Sequence, residues 1–144
     1  MQTAHHILIG EIIKDFAFLY AITSIVKIIM LFMLFGKPVR NIKYAIQALL
    51  SNLISTLLFI VIMQAIWLTQ IAIPIYMTSI YAYLIAVALT YIAASFVVEF
   101  FTNYYLFLRD RIARSDLASA LLMASLFAYF IAFQFGAILP FAGI

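Results

Sequence analysis

The stretch that decides the fold is "FAFLYAITSIVKIIMLFMLFG", residues Phe16 to Gly36. It is apolar almost throughout, and its single charge, Lys27, sits in the middle. About 20 apolar residues in a helix match the hydrocarbon thickness of a bilayer. With no water there to satisfy backbone groups, helix is the natural conformation for a span of this kind.

Three further stretches read the same way: about 44–68, about 75–98 with helix able to run on to 108, and about 117–139. Across all 144 residues, 69% are hydrophobic and 9% charged. A soluble domain carries roughly 25% charged residues. The chain thus reads as one all-α integral membrane domain, a four-transmembrane-helix bundle, with almost no mass left for a soluble domain. The amino end, with Glu11, Lys14 and Asp15 interrupting its apolar run, does not read as a signal peptide and is expected to be retained.

Basic residues set the expected orientation. Lys37, Arg40 and Lys43 follow the first span, and Arg109, Arg111 and Arg114 follow the third. The link "TQIAIP" and the tail after the fourth span have none. Lys and Arg favour the cytoplasmic side, so these two loops are expected inside and both termini outside. Trp67, Tyr76 and Tyr81 suit the outer headgroup level as interface anchors, and Tyr104 and Tyr105 the inner one.

A shift of 72 residues, half the length, brings Ala21, Val26, Leu34, Phe35, Ala48, Leu49 and Leu50 onto identical residues. It also sets Lys37 on Arg109, Thr23 on Ser95, and Lys27 opposite Glu99. A parallel duplication of a helical hairpin and chance matching in a small apolar alphabet are equal alternatives at this stage.

Helix packing has its own code. Ala120, Ala124, Ala128, Ala132 and Gly136 recur every fourth residue, and Ala82, Ala86, Thr90 and Ala94 repeat the spacing on the third span. Small residues let helices approach closely in lipid, where hydrophobic drive between them is weak. A tight antiparallel pair of the third and fourth spans is expected. Leu122, Phe127, Phe130, Phe133 and Phe135 then suit lipid or a neighbouring subunit.

The polar residues within the spans carry the remaining information. Lys27 lies ten residues before Lys37, and Glu99 ten before Arg109. At 1.5 Å per residue each charge sits about 15 Å below its basic loop. Asn52 reaches similar depth on the second span, with Gln47, Ser51 and Ser55 along the same stripe. Asn103 is one turn from Glu99, with Thr102 beside it. An isolated charge at the bilayer centre costs at least about 2.5–3.5 kcal/mol. Lys27 and Glu99 are therefore expected to pair in a buried polar layer with Asn52 and Asn103.

Cysteine is absent, which excludes disulfides and thiolate ligands. His5, His6 and Glu11 lack a specific metal-ligand spacing, and no catalytic motif is present. Ser115 or Asp116 is expected to cap the fourth helix. No cofactor is expected in this chain alone, bound lipid is, and the +3 net charge does not point to nucleic acid. The expected role is a non-catalytic helical subunit of a larger multi-subunit complex in a cell or organelle membrane. It would pack against partner helices and lipid to support catalytic or redox subunits. The alternative is a small homo-oligomeric transporter or channel that uses Lys27, Asn52 and Glu99.

Overall fold

A computed structural model describes residues 2–36, 39–68, 79–109 and 112–142, with side chains omitted at 2–9, 67, 68, 107, 108 and 142. The side chains of His5, His6 and Trp67 thus lie outside the described residues, as do Lys37, Arg111, Tyr76 and the "TQIAIP" link. Among the described residues the chain is all helix and turn. It consists of α1 (Gln2–Phe35), α2 (Ile42–Leu68), α3 (Ile80–Asn103) with a π-helical turn at Tyr104–Leu108, α4 (Arg114–Gln134) and a short α5 (Leu139–Ala142). Four of these, α1 to α4, are long and apolar enough to cross a membrane.

The helix ends follow local chemistry. Asn41 Oδ1 accepts from the Tyr44 amide at 2.8 Å and caps α2. Ser79 caps α3 through the Ala82 amide. At α4 the cap position is Ala113, with no side-chain bond, so Ser115 and Asp116 fall inside the first turn. Asp116 there complements the helix dipole instead of capping.

The fourth helix ends at Gln134, short of Leu139, because the chain turns through Gly136 at φ 75°. The Gly136 amide donates to Phe133 at 3.0 Å and the Ala137 amide to Ala132 at 2.8 Å. This paired arrangement is the left-handed glycine termination of a helix. It returns Ile138 and Phe141 to the interior, against Leu19, Phe59 and Tyr83. A Cβ at Gly136 would meet nothing within 4 Å, so only the backbone angle resists substitution. Gly136→Ala is expected to cost about 1–2 kcal/mol, read as a lowered thermal midpoint in detergent. Gly10→Ala, inside α1 at an ordinary angle, should leave that midpoint unchanged or raise it.

The most extensive interfaces are α1 with α4 and α2 with α3, with smaller ones between α3 and α4 and between α1 and α2. The expected pair of α3 and α4 is in contact, through a smaller interface than these two. On α4 the ridge behaves as a packing surface: Ala120, Ala124, Ala128 and Ala132 are all buried, and Gly136 lies past the helix end. On α3 it does not. Ala82 is exposed, Ala86 and Thr90 are half-buried, and only Ala94 is buried.

The reason is a competing row on the same helix. Tyr83, Val87, Tyr91, Ser95, Glu99 and Asn103 are the buried residues of α3, together with Ala94. One residue of offset is about 100° of rotation. Removing Glu99 from lipid outweighs close approach through alanine, so the polar row sets the helix rotation.

The interior is layered. One apolar cluster gathers Leu19, Phe59, Met63, Tyr83, Val87 and Ile138 at the end where α3 begins. A second gathers Leu31, Val39, Tyr44, Leu117, Ala120 and Leu121 at the end that carries Arg40 and Arg114. Between them lie the buried polar residues, including Thr23, Ser24, Lys27, Ser51, Asn52, Ser55, Thr56, Ser95, Glu99 and Ser125. The outside is the reverse. Ile25, Ile29, Ile54, Leu57, Val61, Ile85, Leu89, Val97, Leu122, Leu126, Phe127 and Phe130 are exposed. A polar middle and an apolar exterior invert the order of a water-soluble protein.

Candidate functional site: a buried Lys27–Glu99 layer

Helix α1 delivers Lys27 to the bundle axis, where its Nζ lies 3.3 Å from Glu99 Oε1 on α3. The residue is 3% exposed, as is Glu99, so neither charge has solvent to rely on. Lys27 Nζ also donates to Asn52 Oδ1 on α2 at 2.8 Å and to Ser95 Oγ on α3 at 2.7 Å. An ammonium has three N–H donors, and here three acceptors receive them.

The acceptors are themselves held. Ser95 donates its one hydroxyl proton to Glu99 Oε2 at 2.8 Å. Its remaining contact, 2.8 Å to Ser125 on α4, is then one in which Ser125 donates. Asn52 Nδ2 donates to Ser24 Oγ at 2.7 Å and Thr23 Oγ1 at 3.0 Å, both on α1. Thr23 passes its own proton to the Leu19 carbonyl at 2.8 Å. All four long helices thus meet in one neutral network. Buried polar groups are costly when partly satisfied and orienting when fully satisfied.

A second tie lies toward the basic end. Ser51 and Thr102 share a hydrogen bond of 2.8 Å between α2 and α3, and Gln47 donates to Ser51 at 3.3 Å. Tyr20 bonds the Leu49 carbonyl at 2.8 Å between α1 and α2.

The structure brings Lys27, Asn52 and Glu99 into contact. Asn103 is buried on the same row of α3, one turn beyond Glu99, but is not joined to the pair. Its Oδ1 has no hydrogen-bond partner among the described residues. Tyr91 is buried on the other side of the pair, its hydroxyl close to Lys27 and Thr23. The Tyr91 ring faces Lys27, with Nζ 5.0 Å from its centroid, a cation–π distance. Of the basic loop residues, Arg40, Lys43, Arg109 and Arg114 are exposed, and Arg114 lies over the Tyr104 ring at 5.3 Å.

The two charges and Asn52 were legible in the sequence, but not the roles of Ser24, Ser95, Ser125 and Tyr91. A signal was present for part of this: Tyr91, Ser95, Glu99 and Asn103 recur every fourth residue, the spacing of one helix face. Ser125 carries no such mark: it lies beside the alanine row, between Leu121 and Tyr129 on an adjacent buried row.

Fold and site together describe a multi-pass membrane protein with a charged but neutral centre. No family model matches the chain, and neither a curated protein nor a solved structure does.

Proposed function

We propose that the chain is a non-catalytic helical subunit of a larger membrane complex, inserted with both termini outside and its basic loops inside. The observation that carries this reading is the closed valence of Lys27. Its three donors end on Asn52, Ser95 and Glu99 of the same chain, so the centre calls for no substrate or partner charge. Such a layer fixes helix register and leaves the apolar exterior for recognition. The exterior includes a groove of about 330 Å³ between α3 and α4, lined by Tyr81, Leu84, Ile85, Ala88, Tyr129 and Phe130. An acyl chain or a partner's side chains would fill it.

The same reading includes a duplicated hairpin. Buried Leu19, Thr23, Lys27 and Leu31 map by the 72-residue shift onto buried Tyr91, Ser95, Glu99 and Asn103. The two extensive interfaces, α1 with α4 and α3 with α2, also exchange under that shift. Lys27 and Glu99 would then face each other across the pseudo-twofold axis.

A specific observation favours a second reading, a homo-oligomeric transporter. Asn103 Oδ1 flanks the pair as a buried polar atom without a partner among the described residues, and intramembrane ionisable groups commonly mark ion paths. Native mass spectrometry of the gently solubilised protein separates the two. A subunit is expected to appear with other polypeptides at fixed ratio. A self-only oligomer that moves ions in liposomes, with flux altered by Glu99→Gln, would overturn the subunit reading.

A further inference from the structure

We propose that Asn52, Ser95 and Glu99 form an occluded binding site for one primary ammonium cation, and that Lys27 supplies the resident occupant on a tether. The inference needs neither a partner subunit nor transport, and it concerns what the polar layer recognises.

Donor and acceptors match. Three oxygens stand at 2.8, 2.7 and 3.3 Å from one nitrogen. The Tyr91 ring presents its face to the same nitrogen at 5.0 Å. Three acceptors with an aromatic face suit a cation that has three N–H donors and an apolar stem. A quaternary ammonium has no donor for the oxygens.

The cage is held by bonds that do not involve Lys27. Asn52 is oriented by Ser24 and Thr23 through its amide nitrogen. Ser95 and Glu99 are joined to each other, and Ser125 holds Ser95 from α4. Withdrawing the Lys27 head group therefore leaves the acceptors in place, still aimed at one point. Tyr91, a residue with no exposed surface, adds its hydroxyl beside that point, close to Lys27 and Thr23.

The site is also secluded. The polar layer lies between the Leu19–Phe59–Met63 cluster and the Leu31–Leu117–Leu121 cluster. Water is kept from competing for the same donors, which strengthens each contact. In the native chain the tether keeps the ammonium at high effective concentration, so free amines do not displace it.

Lys27→Ala removes three methylenes and the ammonium, the shape of n-propylammonium. The test measures thermal unfolding of Lys27→Ala in mild detergent with propylammonium chloride, against equal tetramethylammonium chloride. The expected result is a saturable rise in midpoint with propylammonium only. The rise should vanish in Lys27→Ala/Glu99→Gln, in Lys27→Met, whose side chain fills the stem space, and in the unmodified protein. An equal rise with both salts, or a rise that survives Glu99→Gln, would overturn the proposal. If Lys27→Ala does not accumulate folded, refolding yield replaces the midpoint. Recovery with propylammonium and not with tetramethylammonium supports the site. No recovery while Lys27→Ala/Glu99→Gln folds refutes it.

Discussion

Lys27→Met alone is expected to lower the stability of the bundle by about 3–5 kcal/mol, the usual cost of stranding one partner of a buried ion pair. The substitution keeps the stem and removes the ammonium. It leaves Glu99 Oε1 and Asn52 Oδ1 without their donor in a space that solvent does not reach. Glu99→Gln is expected to destabilise in the same direction, since it removes the counter-charge of the buried Lys27 ammonium. The double substitution Lys27→Met/Glu99→Leu should recover most of the loss, because an apolar pair of similar volume often replaces a buried ion pair at little cost. Denaturant titration in micelles, followed by helical circular dichroism, reads all three. A double variant no more stable than Lys27→Met alone would show that the two residues act separately.

The second large effect belongs to the α4 ridge. Ala128 has no exposed surface, and Ala124 has 1%. Ala128→Leu inserts three carbons where α4 meets its neighbours. Overpacking a filled interior costs about 1–3 kcal/mol, and here it pushes on a helix shared by the α1 and α3 interfaces. Ser125, on the same helix, would move away from Ser95. Ala82→Leu is the matched control, since Ala82 is exposed; a surface change of this kind stays within about 0.5 kcal/mol. Equal losses at the two positions would contradict the rotation of α3 described above.

That rotation marks the boundary of what sequence could convey. The four apolar stretches were legible because lipid demands about 20 apolar residues for a helical crossing. Lys27 and Glu99 were legible because depth along a helix is a simple count from the basic loops. The face of α3 was harder. Two rows at four-residue spacing, one of alanines and one running through Glu99, both offered an interior side. Only their relative cost decides between them. Helix partners were harder still, since the α4 alanines permit close approach to any neighbour and name none. The end of α4 was missed for a local reason. Its apolar run continues to Leu139, but Gly136 takes a left-handed angle and stops the helix at Gln134.

The central claim is that Lys27 and Glu99 neutralise each other directly within one chain. Exchanging the charges, Lys27→Glu with Glu99→Lys, tests it most directly. Each single change places two like charges in the buried layer and should prevent accumulation of folded protein in membranes. The exchanged pair restores opposite signs at the same depth, and the account predicts that folded protein reappears with a clear, cooperative thermal transition. If the exchanged protein is no more stable than either single variant, the two side chains are not paired and the account fails.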